Sequence, residues 1–263
     1  MTPLELLGLI CVFAVVRVAL SMRPASVATV GATEALVGDV PEPSAVAAPP
    51  VQPSTTLVIR EYLDAFIVAG LIALFLITFV VRTFFIPSGS MEPTLQIHDV
   101  LLVNEFEYRL SKPHDGDIVV FPPPIETTND FIKRMIGSPG ETLRIHDGVV
   151  FRNGVALVEP YIAERPKYEL EIRNYNVYVD GEPIDPDSGN IPPRSMWTAP
   201  DRIPPNCYFM MGDNRNNSED SHVWGFAQLH GTFATGPEKG KPAHFTGHAF
   251  LLFWPPNRIR ILH

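Results

Sequence analysis

Cysteine is scarce in this 263-residue chain, with only Cys11 and Cys207. Two thiols so far apart build neither a disulfide framework nor a clustered thiolate metal site. Charge is sparse as well, at 19% against a usual ~25%. The formal net charge is −9, which argues against a nucleic-acid partner. The sequence has no H-E-x-x-H pair, no zinc-like histidine spacing and no G-x-S-x-G turn, so zinc-protease and histidine-triad chemistry lack their usual supports. There is no internal repeat, and beyond residue 83 no convincing helical period of ten or more residues. Proline, in contrast, is abundant at 27 residues, about twice the ordinary ~5%. That favours turns and short strands over a helical globule.

Apolar residues gather near the N-terminus. Between Asp64 and Arg82 lie 17 uncharged residues, roughly 25 Å as a helix, at the short end of a membrane span. Residues 61–82 are therefore expected to form a transmembrane helix. An earlier stretch, Leu6–Val16, is interrupted by Arg17, and residues 1–23 form a candidate first span, with a signal sequence or an interfacial helix as alternatives. Residues 24–60 read as a Pro/Ala-rich linker without helical or strand period. Arg17, Arg23 and Arg60 flank the linker side, against Arg82 on the other, which favours a cytoplasmic linker and an extracytoplasmic C-terminal part.

Residues 83–263 read as a mostly antiparallel β domain. Short apolar runs occur at 97–103, 117–121, 131–136, 142–145, 149–151, 208–211 and 247–253. Asp115-Gly116, Pro139-Gly140, Asp147-Gly148, Asn153-Gly154 and Asp180-Gly181 punctuate them. Asp147-Gly148 between RIH and VVF signals a hairpin. Residues 159–206, rich in proline and aromatics, read as an insertion with a hairpin around Tyr178–Ile184.

Three segments carry candidate chemistry. Pro87-Ser88-Gly89-Ser90-Met91-Glu92-Pro93 is a tight turn that presents a hydroxyl and a backbone N–H together; an ordinary turn with Ser90 as a helix cap fits equally. In Phe131-Ile132-Lys133-Arg134-Met135-Ile136, strand alternation points one of the two bases at an apolar surface. A lysine there loses solvation and its pKa falls toward ~8, as a general base requires; an edge-strand lysine that guards against pairing is the plainer alternative. Met211–Ser221, containing Gly-Asp-Asn-Arg-Asn-Asn-Ser-Glu-Asp-Ser, is dense in side chains that bond to backbone, as in a tightly hydrogen-bonded loop. It lacks the central glycine and alternating oxygens of a calcium loop.

Together PSGSMEPTL at 87–95, FIKRMIGSPGE at 131–141 and MGDNRNNSEDSHVWG at 211–225, in that order, resemble bacterial signal peptidase I. The resemblance covers about residues 60–254. It implies a membrane-bound serine endopeptidase that removes signal peptides from exported pre-proteins after Ala-x-Ala-like sites, at the bacterial inner membrane, with the catalytic domain extracytoplasmic. It implies Ser90 as nucleophile, Lys133 as general base, Ser88 with the Ser90 N–H as oxyanion hole, and Ser218 orienting the lysine. Asp213, Asp220 and Arg215 would support the site, and Met91 would line the substrate groove. The family's arginine two positions after the aspartate is here His222, which implies a weaker, pH-dependent pair. No cofactor or metal is needed. The implied partners are signal peptides, the lipid bilayer and the protein translocation machinery, with no nucleic acid and a monomeric state. Competing readings are a maturation peptidase of the same superfamily with narrow substrates, a self-cleaving repressor, and a catalytically silent membrane-tethered β scaffold.

Overall fold

The computed structural model describes residues 3–21, 55–79, 81–127 and 129–262. Of the expected linker at 24–60, residues 24–54 lie outside the described residues and 55–60 are helical, at the start of the second helix. The chain divides into two compact units, Met1–Thr78 and Phe79–His263.

The first unit pairs α1 (Pro3–Ser21) with α2 (Thr55–Phe79). Ile10 is buried against Gly70, Phe13 meets Phe66 at 5.9 Å between ring centres, and Arg17 Nε lies 2.7 Å from Asp64 Oδ1. Among the described residues no helix is long and apolar enough to cross a membrane. This corrects the expectation of transmembrane helices at 1–23 and 61–82. The physical reason is where the charges and the helix ends fall. Glu5 and Arg17 sit inside α1 and leave about 16 Å of uncharged helix between them. Arg60, Glu61 and Asp64 sit inside α2, and the chain is already a strand at Val81. The uncharged helical part, 65–79, is about 22 Å, against a ~30 Å hydrocarbon core. The inner-membrane, extracytoplasmic placement, drawn from those spans and from the resemblance, is corrected along with the spans.

The second unit is β-sheet, as expected. In chain order its strands are β1 (Val81–Phe85), β2 (Val100–Asn104), β3 (Ile118–Phe121), β4 (Phe131–Gly137), β5 (Leu143–His146), β6 (Val149–Arg152), β7 (Val155–Ala156), β8 (Leu170–Arg173), β9 (Asn176–Val179), β10 (Glu182–Pro183), β11 (Cys207–Met211), β12 (Ala227–Gln228), β13 (Gly247–Trp254) and β14 (Arg260–Ile261). One antiparallel sheet runs β1-β2-β13-β3-β4-β11-β12, with β14 on β13. The other runs β10-β9-β8-β5-β6-β7. The Asp147-Gly148 hairpin forms between β5 and β6, with φ of 50° and 71° at the two turn residues, the primed geometry that matches strand twist. Residues 159–206 supply β8, β9 and β10, so the segment read as an insertion builds half of the second sheet.

Three elements of this unit set up the site. The turn at Gly89–Met91 is a single 3₁₀ turn, pinned from below by Met91 and Leu95, both fully buried with Ile86, Leu101 and Leu252. Strand β4 lies between β3 and β11, with Lys133 opposite Val119 and Arg134 opposite both Ile118 and Met211. Being central, β4 is covered on both faces. Lys133 and Arg134 are consequently both buried, at 4% and 2% exposure, where alternation alone had sent only one base inward. The loop after β11 then runs back past the turn, with the Asn214 N–H donating to the Ser90 carbonyl and the Asn214 side-chain amide to that of Gly89.

Candidate active site

Lys133 Nζ lies 2.7 Å from Ser90 Oγ. Both groups are buried, and they line one groove of about 470 Å³ together with Ser88, Asn214 and residues around Phe131. Ser88 is exposed at the mouth of the turn, and its Oγ is 3.5 Å from Ser90 Oγ, at the outer limit of a hydrogen bond.

The two buried bases of β4 are treated very differently. Arg134 makes a two-pronged pair with Asp213, Nε to Oδ1 at 2.9 Å and Nη2 to Oδ2 at 2.8 Å, and its third nitrogen donates to the Gly116 carbonyl. Thr94 Oγ1 donates to the same carboxylate. That buried charge is compensated in the geometry arginine favours. Lys133 has no carboxylate within ion-pair distance among the described residues, only the Ser90 hydroxyl and the Phe131 ring at 5.1 Å. Burial lowers its pKa from 10.5 to about 8, against the weaker pull of Asp220, Glu219 and Asp213 in the other direction. At pH 7 about a tenth of such a lysine is neutral, and at pH 8 about half.

The loop from Gly212 to Asp220 is held from several sides. Asp220 accepts from the Gly212 N–H at 2.8 Å, and His222 Nδ1 is 2.7 Å from its other oxygen. Burial opposes the Asp220 charge, but the His222 contact and the Gly212 N–H outweigh it and hold this carboxyl below the usual range. His222 also stacks on Tyr168 at 4.5 Å between ring centres. Arg215 donates to Glu159 with both terminal nitrogens, at 3.0 and 2.6 Å. Burial works against the guanidinium's charge, yet the Glu159 pair wins and its pKa is raised.

Ser218 stands differently from its expected place. Its hydroxyl is buried beside Gly212, close enough to Asp220 to help hold that carboxyl low, but it meets no partner at full hydrogen-bond geometry and none joins it to Lys133. A Cβ on Gly212 would collide with the Ser218 side chain and with the Ser90 carbonyl oxygen, so only glycine lets the loop approach the turn this closely. Met91 is 0% exposed and lies in the core rather than in the groove lining.

Sequence reasoning missed Glu159, Tyr161 and Tyr168, which come from the supposed insertion. The Tyr161 ring stands 4.0 Å from the Arg134 guanidinium and 5.9 Å from that of Arg215. Two histidine–carboxylate clusters, Glu107/Asp117/His248 and His146/Asp147/Glu169, bring three potential metal ligands each together. Neither lines the Ser90 groove.

A β-sheet unit with a serine hydroxyl at the floor of an open groove, within hydrogen-bond distance of a buried lysine, is an arrangement that fits a hydrolase. Residues 59–235 match the family model described as "Signal peptidase, peptidase S26", and the chain belongs to that family. It is 38% identical over 201 residues to the probable signal peptidase I-2 of Synechocystis sp., covering 74% of this chain and 73% of that one. It is 36% identical to the probable signal peptidase I-1 of the same organism, over 78% and 88% of the two chains. With the signal peptidase I of Leptolyngbya laminosa it shares 33% identity over 84% and 93%. The protein is thus a proteolytic enzyme of the signal peptidase I type, acting in protein maturation.

Proposed function

We propose that this chain removes N-terminal signal peptides from exported pre-proteins, cutting after Ala-x-Ala-like sites, with Ser90 as nucleophile and Lys133 as its base. The observation that carries the proposal is the 2.7 Å approach of Lys133 Nζ to Ser90 Oγ, by a lysine that is buried and, among the described residues, has no carboxylate within ion-pair distance. A neutral Lys133 accepts the Ser90 hydroxyl proton as Oγ attacks the scissile carbonyl carbon. The developing oxyanion is stabilised by the Ser88 hydroxyl and the Ser90 N–H. Lys133, now an ammonium, returns the proton to the departing amine, which leaves an acyl group on Ser90. Lys133 then takes a proton from water as it attacks that ester, and returns it to Ser90 Oγ as the C–Oγ bond breaks, which frees the signal peptide with its new carboxylate and restores Ser90 and the neutral lysine. Arg134, fully paired with Asp213, anchors the strand from the other face.

The test is cleavage of a purified Ala-x-Ala pre-protein at pH 8, with the new N-terminus mapped by mass spectrometry and with Ser90→Ala and Lys133→Ala enzymes run in parallel. A single cut after the second small residue, lost in both variants, is expected. Equal cutting by wild type and Lys133→Ala would remove Lys133 from the mechanism, and cutting at unrelated sites would refute the substrate class.

A further inference from the structure

We propose that the Ser90 groove selects substrates that carry a basic side chain close to the scissile bond, read by Glu219 and Asp130 at its rim. The inference rests on the reading of this groove as the cleavage site and adds the charge of the segment it takes.

Among the described residues three charged side chains line the groove, Lys133 at its floor and Asp130 and Glu219 at its rim. Both carboxylates are exposed. Asp130 accepts a hydrogen bond from Thr246 Oγ1 at 2.9 Å, which fixes its position without neutralising it. Neither Asp130 nor Glu219 forms an ion pair among the described residues, whereas Asp213, Asp220, Glu159 and Asp99 nearby in the same unit all have cationic or histidine partners. Lys133 forms no ion pair with either carboxylate among the described residues: it is 4% exposed at the floor of the groove and is engaged with Ser90.

A segment lying across the groove therefore meets two carboxylates that have no ion-pair partner among the described residues, on a protein whose net charge is already −9. A lysine or arginine on that segment can lay its apolar stem along the groove while its head stays solvated beside a carboxylate. An aspartate or glutamate there is repelled. The selection is electrostatic and partly exposed, so it weakens as salt rises.

Glu219 has a second effect through the same geometry. The groups facing Lys133 are the Ser90 hydroxyl, the Phe131 ring, and the carboxylates of Asp220, Glu219 and Asp213. The three carboxylates favour its charged form. A substrate cation paired with Glu219 removes part of that pull, so a matched substrate makes Lys133 a readier base.

The experiment uses the full chain and quenched peptides with an Ala-x-Ala site, carrying Lys, Ala or Glu in turn at each position flanking the scissile bond. At least one position is expected to show kcat/KM in the order Lys, Ala, Glu, with about tenfold between the extremes at low salt, and less at 0.3 M salt. Glu219→Gln or Asp130→Asn shrinks that ratio, and Glu219→Gln also moves the pH midpoint of cleavage downward. Equal kcat/KM across the set, or a preference that both variants leave intact, overturns the proposal. If the wild type cuts none of the peptides, the cleavage reading itself fails. Binding of the same peptides to Ser90→Ala, followed by fluorescence anisotropy, then decides the charge preference separately, and equal Kd for Lys and Glu peptides overturns it.

Discussion

At the scale of the residue, Lys133 and Arg134 show how one strand can hold two buried bases for opposite purposes. A buried cation is tolerable when a carboxylate and hydrogen bonds replace its water, and Arg134 has both in Asp213 and the Gly116 carbonyl. Lys133 has only a hydroxyl, so it sheds its proton more easily. If it is the base, cleavage rises with pH and levels off, with the midpoint of kcat/KM in free enzyme near 8. A pH–rate profile from pH 6 to 10 checks this, and a midpoint near 10.5, or a fall through pH 7, would contradict it. The unusual lysine was legible in the sequence because a base among Phe131, Ile132, Met135 and Ile136 has nowhere wet to go. What could not be read was which base would find a carboxylate. That depended on Asp213, 79 residues further on, arriving opposite Arg134 through the β4–β11 register.

At the scale of the element, the segment 159–168 acts as a strap over the loop that follows β11. Glu159 holds Arg215, Tyr161 sits against both buried guanidiniums, the Lys167 N–H donates to Asn216 Oδ1, and Tyr168 stacks on His222. Arg215 and Glu159 have side-chain exposures of 0% and 5%, so removing one partner strands the other's charge. Glu159→Gln is expected to cost about 3 kcal/mol, to raise amide exchange selectively in 211–222, and to lower kcat. The double change Glu159→Leu with Arg215→Met should regain most of the stability, since an apolar pair leaves no orphaned charge. Urea unfolding and hydrogen exchange on the three proteins decide it; a Glu159→Gln protein as stable as wild type would show that the strap does not hold the loop. The hairpins were legible from their turns, because Asp147-Gly148 and Asp180-Gly181 supply the positive φ that primed turns require. The turn at Asn174-Tyr175 was not, since it places a tyrosine at φ 63°. Strand β8 alternates buried Leu170 and Ile172 with Glu171 and Arg173, but over four residues in a proline-rich stretch that pattern is too short to stand out. Strand β1 was hidden for the opposite reason: Phe84 and Phe85 simply extended an apolar run that looked helical.

At the scale of the whole molecule, the same reasoning that located the β unit misjudged the N-terminal helices. Hydropathy counts residues between charges, whereas spanning length depends on where the helix stops. Val81–Phe85 is recruited by β2, so the uncharged run is divided between a helix and a strand. The folded molecule also carries a cost that its proposed chemistry requires. With the folded-state pKa of Lys133 near 8 and the ordinary value 10.5, the native state binds fewer protons than the unfolded chain between those two pH values. Stability contributed by this group therefore climbs with pH across that window, and below it the buried ammonium is a standing penalty of about 3 kcal/mol. Asp220 has the reverse sign: its pKa is held low, so its contribution is present above the ordinary carboxylate value and is lost as pH falls through the folded one. The two windows do not overlap. Lys133→Met, of similar length and without charge, should abolish cleavage while stabilising the protein by about 2 kcal/mol at pH 6–7, after allowing for the lost Ser90 hydrogen bond. That advantage should shrink steadily from pH 8, vanish near pH 10 and reverse above it, where only the lost Ser90 hydrogen bond remains, because every other titrating group is common to both proteins. Denaturant midpoints for the pair at pH 6, 7, 8, 9 and 10 measure it. A constant difference across that range would mean that Lys133 is not desolvated in the folded state, and the base assigned to Ser90 would lose its physical ground.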